Sequence, residues 1–448
     1  MLRDINNITL DRKDKRNIAL ILSAALLIKL ILAFTLTADL RSDSLDYHKL
    51  AISMVKSGEY SLDGKPTASS TIGYPLFIAG VYALTGPDQL YVRIAQSLLE
   101  VLTGLLFLML CLKFFDKKRA ITALAIFTFF PSNILFTQTL LSETLFGLLA
   151  LVILYYFYGD KIDGKIFLIG LIAGYAFLVR SSFMFSMLIF PLALFVYSRK
   201  YFEGFKTKRL KRALQYTVYF FAGAAIVVLP WLIRNKIVLN TYSVGTHGGS
   251  TFWSGSNPDA TGTWYHKIED TNPIFNIQDE AERDKAFYKA GMEYALKNPH
   301  KFAFVGIKKL VYFFSSERMV LLYFTPGEGR ARTSTEVYRS INPLITALPN
   351  LPYFAVMILG TWGLMLVNRR RFILYGYVFT WLLTFFIFVA LARYHYVLIP
   401  LFVIGTVKFA VENRFRLGNF SLKQKIFGFS VCLFFIAVWA AEFYLVYK

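Results

Sequence analysis

The chain has 448 residues, of which 56% are hydrophobic and 17% aromatic, and its formal net charge is +21. The apolar residues occur in long uninterrupted runs, which is typical of a polytopic membrane protein and excludes a soluble globular domain. A positive charge of this size suggests nucleic-acid binding in a soluble protein. Here the Lys and Arg residues collect in short loops between apolar runs, which is the charge pattern of membrane insertion, so we expect no nucleic-acid partner.

The apolar runs predict about eleven transmembrane helices. Their approximate ranges are 18–38, 90–112, 120–138, 140–158, 166–179, 183–197, 213–233, 348–367, 372–392, 397–411 and 426–447. Threading these runs alternately across a membrane places the basic loops on one side, which predicts an N-terminus inside and a C-terminus outside. We therefore expect an all-α integral membrane protein, with residues 1–448 as one module, in a bacterial cytoplasmic membrane.

Two longer segments fall on the outer side of this topology, residues 39–86 and 235–346. In the first, the apolar residues from Tyr47 onward are spaced for one face of an interfacial helix that ends at Gly58. The second should contain a folded surface loop over 245–264, a helix over 279–297, an interfacial helix over 302–314 and a loop over 326–334 that could close over a site.

Ionisable residues that membranes usually exclude also fall on the outer side, at the ends of predicted spans. They are Asp43, Asp46, Glu143, Arg180, Arg234, Arg393 and His395. The second outer segment adds two adjacent lysines and several aromatic residues, which are Lys308, Lys309, Trp253, Trp264 and Tyr265. Charged groups are costly to hold at a membrane, so we expect a functional site at this face.

Carboxylates and arginines at a membrane surface suit the transfer of a sugar from a lipid phosphate to a hydroxyl. Such a transfer passes through an oxocarbenium-like centre, as in glycoside hydrolysis. An inverting transfer needs one carboxylate that takes the proton from the attacking hydroxyl. A phosphate leaving group needs only positive charge to stabilise it. One carboxylate with Arg or Lys is therefore a sufficient set.

Several short motifs, in a fixed order, carry a family resemblance. They are Asp43-Ser-Leu-Asp-Tyr-His-Lys-Leu-Ala51, Gly58-Glu-Tyr60, Ile72-Gly-Tyr-Pro-Leu-Phe, Ser142-Glu-Thr-Leu-Phe146, Pro230-Trp-Leu-Ile-Arg-Asn235, Gly255-Ser-Asn-Pro-Asp-Ala-Thr-Gly262 and Arg393-Tyr-His-Tyr396. With these motifs in this order, the chain resembles bacterial membrane glycosyltransferases of the GT-C fold over nearly its whole length. These enzymes, of glycosyltransferase family 39, are relatives of protein O-mannosyltransferases and of the lipid A aminoarabinose transferase.

The resemblance implies a GT-C fold, a polyprenyl-phosphate-linked sugar donor, an acceptor on the outer side and a first-loop Asp as general base. That Asp corresponds to Asp43, with Asp46 as the fallback. We expect the donor phosphate near Arg393, Arg234, Lys308, Lys309 or Arg180, and the acceptor or a metal near Glu143 and His395. Trp253, Trp264 and Tyr265 are candidates for stacking on the sugar. The sequence does not establish a cofactor, and a divalent cation, Mg²⁺ or Mn²⁺, could bind near Glu143 and His395.

Structural interpretations stand beside these functional ones. Asp43 could be the N-cap of the helix that follows it, and Glu143 could cap its own span near water. Each arginine could be an interfacial anchor, and the outer aromatic residues could pack their loop. Two other functions also fit many spans with outer charges: a transporter or flippase of lipid-linked saccharides, and an O-antigen ligase or polymerase that joins preassembled glycans.

Overall fold

The structure is a computed structural model that describes residues 10–263, 272–325 and 334–447. Within these ranges the chain is helical, with one small β-hairpin. The α-helices are α1 (Arg12–Thr35), α2 (Asp43–Ser57), α3 (Gly73–Thr85), α4 (Gln89–Cys111), α5 (Lys117–Thr128), α6 (Pro131–Leu135), α7 (Glu143–Phe157), α8 (Ile166–Val179), α9 (Met184–Val196), α10 (Ser198–Tyr201), α11 (Lys206–Leu239), α12 (Gly248–Ser254), α13 (Glu280–Lys297), α14 (Pro299–Phe313), α15 (Arg318–Leu322), α16 (Ser334–Ser340), α17 (Pro343–Met365), α18 (Arg371–Ile387), α19 (Ile399–Thr406) and α20 (Leu422–Tyr447).

Six helical segments of the described chain are long and apolar enough to cross a membrane. They are α1, α4, α11, α17, the continuous segment Ala392–Glu412 that contains α19, and α20. A bent pair, Lys117–Thr128 with Pro131–Gln138, makes a seventh if it is one span. The other four predicted spans are helices of 17 residues or fewer, so the count of eleven is not confirmed. The all-α membrane architecture is confirmed.

The bend between α5 and α6 has a local cause. Pro131 is the first residue of α6 and follows Phe130, whose backbone is extended, so α5 cannot continue through this point. Asn133 is buried, and its side-chain amide donates to the carbonyl of Phe127, 2.6 Å away. This bond adds a side-chain donor to a carbonyl near the end of α5, which also accepts from the Phe130 amide at 3.2 Å.

Glycines allow the closest helix contacts of the bundle. A Cβ on Gly363 of α17 would lie 1.6 Å from the carbonyl oxygen of Gly405 in α19, and a Cβ on Gly170 of α8 would lie 2.1 Å from the carbonyl oxygen of Phe220 in α11. Small residues of this kind let helix backbones approach closely in membranes, where packing rather than water drives association.

The first outer loop folds much as predicted. Helix α2 ends at Gly58, which has φ +72, as the apolar spacing indicated. A hairpin of β1 (Ser61–Leu62) and β2 (Lys65–Pro66) follows, and both residues of its Asp63-Gly64 turn have positive φ, which matches the twist of paired strands. The structure adds helix α3, which the apolar spacing of the sequence did not predict.

Hydrogen bonds connect the second outer segment, residues 235–346, to the first, residues 39–86. Glu280, at the start of α13, accepts hydrogen bonds from Thr67 Oγ1 and from the Ala68 amide, both at 2.7 Å, and from Thr246 Oγ1 at 3.1 Å. The predicted helices over 279–297 and 302–314 are confirmed as α13 and α14. Residues 326–333, most of the loop predicted to close over a site, lie outside the described residues.

Candidate active site

Four of the predicted ionisable residues meet at one end of the bundle. Glu143 begins α7 and Arg180 directly follows α8, and because these two helices are consecutive and packed together, both side chains lie at the same end. Asp43 begins α2, and Arg393 lies in the 3₁₀ segment Ala392–Leu398. The chain thus assembles a site from segments that are far apart in sequence.

These four side chains form a cluster in which the charges alternate. Arg393 Nη2 donates to Asp43 Oδ2, and Arg393 Nε lies 3.7 Å from Glu143 Oε1. Arg180 Nη1 lies 3.1 Å from the same Glu143 oxygen. The side chains of Arg393 and Glu143 are 6% and 1% exposed, whereas that of Asp43 is 39% exposed. Asp43 is therefore the member of the cluster that a substrate can reach from solvent.

The cluster still has unused hydrogen-bonding capacity. Both oxygens of Glu143, Arg180 Nη1 and Arg393 Nε are buried and lack a partner of good hydrogen-bond geometry within the described residues. Buried arginine N–H groups are well suited to an anion, because each can donate a charge-assisted bond. The geometry thus offers positive charge directly beside the exposed carboxylate of Asp43.

Aromatic residues that the sequence analysis missed surround the two arginines. Arg393 Nη1 donates to Tyr323 Oη over 3.3 Å. The Tyr394 ring lies 5.0 Å from the Arg180 guanidinium and 5.4 Å from that of Arg393. Such cation–π contacts hold a guanidinium in place without neutralising its charge. The position of Tyr394 beside Arg393 was the only sequence signal that could have indicated this role.

The structural interpretation of Asp43 as a helix N-cap is wrong. Ser42 occupies the N-cap position, with φ +49, and it makes no side-chain capping bond. Asp43 is the first helical residue, and its carboxylate turns to Arg393 because a buried cation needs a counter-charge. The Ser44 hydroxyl instead bonds the backbone of Arg41 at the start of α2.

Asp43 and Asp46 have different electrostatic surroundings. Burial raises the pKa of Asp43, but the charge and hydrogen bond of Arg393, together with the charges of His247 and Arg180, lower it, so the net pKa lies below the ordinary value. Burial, and then the charge of Asp43, raise the pKa of Asp46. The exposed His247 interacts electrostatically with both carboxylates, and sequence reasoning did not identify it. Asp43 is thus the carboxylate held in the ionised form.

Arg234 lies in a different polar environment from the cluster. Its guanidinium donates to the carbonyl oxygens of Tyr60 and Thr67, both at 2.8 Å, and lies 5.1 Å from the Trp231 ring. Within the described residues, these hydrogen bonds hold the first outer loop against the end of α11. The structure thus gives Arg234 a positioning role, and its predicted contact with a phosphate remains a prediction.

The two adjacent lysines of α14 also differ from each other. Lys309 is fully buried, its ammonium donates to the carbonyl of Ile387 at 2.6 Å, and burial lowers its pKa to about 7. It therefore caps the end of α18, where free carbonyl groups attract a cation. Lys308 is exposed beside the Phe304 ring. Neither lysine makes an ion pair with Asp43 or Glu143 in the described chain.

His395 is part of a separate buried pair. Its Nε2 lies 3.1 Å from Glu317 Oε1, and its Nδ1 lies 2.8 Å from the carbonyl oxygen of Phe313. The sequence placed it in an outer turn, but it is fully buried because Glu317 and the end of α14 enclose it. Among the described residues no three His, Cys, Asp or Glu side chains are grouped to hold a metal ion.

Trp253 packs inside the outer loop. Its ring is 7% exposed and lies 5.2 Å from the Phe287 ring and 6.5 Å from that of Phe275. Little of Trp253 is therefore open to a sugar, and its stacking role stays a prediction. Trp264 and Tyr265, the other two stacking candidates, lie outside the described residues.

Comparisons with known proteins give structural matches at low identity. No protein-family model and no curated protein matches the sequence. The apo oligosaccharyltransferase of Archaeoglobus fulgidus matches 96% of this chain and 56% of its own, at 13% identity and a TM-score of 0.48. AglB of the same organism, in complex with an inhibitory peptide and a dolichol-phosphate, matches 98% of this chain and 56% of its own, at 12% identity and a TM-score of 0.47.

ArnT from Cupriavidus metallidurans, bound to undecaprenyl phosphate, matches 88% of this chain and 78% of its own, at 12% identity and a TM-score of 0.43. This chain thus spans little more than half the length of the archaeal enzymes. The chain is thus similar in structure to an archaeal oligosaccharyltransferase and to ArnT, at low identity. At these TM-scores and identities the match transfers no residue role, so the function is argued from the site.

Proposed function

We propose that this protein is an inverting glycosyltransferase that acts at the outer face of the cytoplasmic membrane, with its N-terminus inside the cell. It moves a sugar from a polyprenyl-phosphate donor to a hydroxyl of a lipid, glycan or protein acceptor. The observation that supports this proposal is the partly exposed Asp43 carboxylate, held by the buried Arg393 and flanked by Arg180 Nη1 and Arg393 Nε. Within the described residues these two groups lack a partner of good hydrogen-bond geometry. A base and an anion site lie side by side there, which is the set this chemistry needs.

Asp43 acts as the general base in the proposed reaction. The acceptor oxygen attacks the anomeric carbon, the bond from that carbon to the phosphate oxygen breaks, and the phosphate leaves with the bonding electrons. The proton of the acceptor hydroxyl passes to Asp43. A carboxylate with a lowered pKa is a weak base, which suits a late transfer, because the attacking oxygen becomes acidic only as its bond to carbon forms.

Arg393 and Arg180 stabilise the leaving phosphate. Both are buried, so their charges act in a medium of low dielectric, where they stabilise an anion more strongly than in water. Tyr394 and Glu143 hold the two guanidinium groups in position before the substrate arrives. No general acid is needed, because a phosphate leaves as a stable anion.

A transporter of lipid-linked saccharides is the second candidate function, and one observation favours it. Lys29 of α1 and Glu100 of α4 are both 1% exposed within apolar spans. Ionisable groups inside membrane spans frequently belong to transport pathways. If the protein only moves lipids, Lys29→Met together with Glu100→Gln should abolish its activity, and no sugar transfer should be detectable.

The test of the proposal is sugar transfer by purified protein in proteoliposomes, with a set of labelled polyprenyl-phosphate sugars and a membrane lipid extract as acceptor, with and without Mg²⁺. Asp43→Asn preserves the size of the side chain but cannot accept the proton, so we expect a loss of about 100-fold or more. Asp63→Asn is the matched control: it lies in the same outer loop, on the surface, in a left-handed turn that Asn tolerates.

Size-exclusion chromatography shows whether both variants remain folded. Transfer at the wild-type rate by folded Asp43→Asn contradicts the role of Asp43 and moves the base to Asp46. A product that retains the anomeric configuration of the donor contradicts the inverting mechanism.

A further inference from the structure

A second cluster of positive charge lies at the opposite end of α7 from Glu143. Helix α7 has 15 residues, so its two ends are about 20 Å apart. The cluster contains Lys113, Arg369 and Arg370, and Asp160 is the acid that accompanies them. Nothing in the proposed transfer reaction uses these residues.

Arg370 is the most deeply held member. It precedes α18 with φ +49, a left-handed conformation that is uncommon outside glycine. The residue is 5% exposed, and its guanidinium lies 4.3 Å from the Tyr201 ring and 5.0 Å from the Tyr197 ring. Its Nη2 donates to the carbonyl oxygen of Gly159 at 3.0 Å. Its Nε and Nη1 are buried and lack a partner within the described residues.

The neighbours of Arg370 add further donors. Arg369 donates to the Tyr158 carbonyl oxygen at 3.1 Å and to Asp160 Oδ1 at 2.7 Å, but its Nε has no partner in the described chain. The buried hydroxyl of Tyr158 likewise lacks a partner there, and it interacts electrostatically with both arginines. Lys113 Nζ lies 4.2 Å from the Tyr155 ring.

The three cations act on one another. Burial and the nearby Arg369 lower the pKa of Lys113, Asp160 raises it, and Arg370 lowers it further. Asp160 is largely exposed and therefore screens these charges only weakly. The cluster thus holds more positive than negative charge in a partly buried position.

Helix capping explains some of these contacts but not all of them. The carbonyl groups at the end of α7 attract cations, which accounts for the bonds from Arg369 and Arg370 to residues 158 and 159. The remaining arginine N–H groups and the Tyr158 hydroxyl are donors, and guanidinium groups cannot bond to each other. An acceptor with several oxygens and a negative charge suits donors of this kind.

We propose that this cluster binds the phosphate group of an anionic phospholipid in the leaflet opposite the candidate active site. A lipid phosphate has the required charge and several acceptor oxygens, and basic pockets between helices at a membrane surface are a common form of lipid recognition. Tyr155, Tyr197 and Tyr201 fit the aromatic composition of a membrane interface.

The test measures thermal unfolding of the detergent-solubilised full chain while a short-chain phosphatidylglycerol, a phosphatidylcholine of the same chain length or inorganic phosphate is added. We expect phosphatidylglycerol to raise the Tm in a saturable manner, because a ligand that binds only the folded state stabilises it. Phosphatidylcholine and inorganic phosphate should have little effect. An equal shift with phosphatidylcholine overturns the proposal, and so does an equal shift with inorganic phosphate, which would indicate a site for free anions.

Two variants locate the site. Tyr158→Phe removes only a hydroxyl that has no partner in the described protein, and Lys113→Gln removes one charge without removing a helix cap. Each should weaken phosphatidylglycerol binding about ten-fold, the value of one charge-assisted hydrogen bond. Arg371→Gln is the control, since Arg371 is exposed and its hydrogen bonds to the described residues are with Val367 and Asn368, close by in sequence. Wild-type affinity in both test variants refutes the proposal.

Discussion

At the scale of single residues, Arg393 controls the ionisation of Asp43. Burial alone would raise the pKa of Asp43, and the charge and hydrogen bond of Arg393 are the largest of the effects that lower it below the ordinary value. A lowered pKa in the folded state means that the ionised carboxylate contributes stability at neutral pH, which is lost as the pH falls through that pKa. The same titration should limit activity on the acid side if Asp43 is the base.

We predict that Arg393→Gln moves the acid limb of the pH profile of kcat/KM to higher pH, because the effect of burial remains when the cation is removed. Arg393→Lys should leave the limb closer to its wild-type position. Arg41→Gln is the control, because Arg41 lies in the same loop and pairs with Asp39 instead. The measured quantity is the pH at which kcat/KM falls on the acid side, and not the maximal rate. If that pH is unchanged in folded Arg393→Gln, Asp43 is not the titrating base.

Glu143 and Arg180 should be coupled in stability. Both side chains are almost fully buried, so removal of Glu143 leaves Arg180 without its ion-pair partner. Removal of Arg180 leaves Glu143 with only the longer contact to Arg393 Nε, at 3.7 Å. We predict that Glu143→Gln and Arg180→Gln each lower the free energy of unfolding by about 3 kcal/mol, and that the double variant loses clearly less than the sum. Denaturant unfolding in detergent measures these values.

The surface pair of Arg119 and Asp116 provides the comparison for that cycle. Each of its side chains is about one third exposed, so solvent screens the interaction. Its coupling energy should be about 1 kcal/mol or less. If Glu143 and Arg180 show strictly additive losses, their proximity has no energetic consequence and the cluster is not a coupled unit.

At the scale of elements, Glu280 connects α13 to the first outer loop. One carboxylate accepts three hydrogen bonds from that loop and from Thr246. We predict that Glu280→Ala increases hydrogen exchange in residues 61–68 and in α13, since bonds that hold the two segments together are lost. KM for the acceptor should also rise, because these segments lie beside the candidate site.

Glu282→Ala is the control, since in the described chain Glu282 pairs with Lys285 on the exposed side of α13. Equal hydrogen exchange in the two variants would show that Glu280 does not hold α13 and residues 61–68 together.

The same scale shows which elements a sequence can predict. Helix α2 was predictable, because its apolar spacing and Gly58 are local signals. Helix α3 was not, because Gly73-Tyr74-Pro75 is also a turn signal, and the helix is favoured by a contact that lies far away in sequence. A Cβ on Gly73 would lie 2.5 Å from the backbone of Leu178 in α8, so this glycine serves a close helix approach rather than a turn.

The site was predictable in its location but not in its pairings. Alternation of spans placed Asp43, Glu143, Arg180 and Arg393 on one face. Which carboxylate meets which arginine depends on tertiary packing, and so do the burial of His395 against Glu317 and the contribution of Tyr323. No local pattern contains that information.

At the scale of the whole molecule, the C-terminal helix is connected to the segment that carries Arg393. Trp439 of α20 donates to the carbonyl oxygen of Phe314 at 2.9 Å, and Glu442 of α20 accepts from the Ser316 amide at 2.7 Å. The next residue, Glu317, pairs with His395, two positions after Arg393. Helix α20 is therefore linked by these contacts to the segment that carries Arg393. The side of the membrane that the candidate site faces depends on the orientation of this bundle in the membrane.

That orientation can be measured directly with single cysteines. Both natural cysteines, Cys111 and Cys432, are buried, so they should react slowly with a membrane-impermeant maleimide. Lys65 lies exposed in the hairpin beside the candidate site, and Lys208 lies exposed near the start of α11, in a strongly basic loop. The distribution of basic residues predicts that this loop faces the cytoplasm. In intact cells Lys65→Cys should therefore be labelled, and Lys208→Cys should be labelled only after permeabilisation. The reverse pattern would place the Asp43 cluster on the cytoplasmic side, where the donor and acceptor would have to be cytoplasmic molecules.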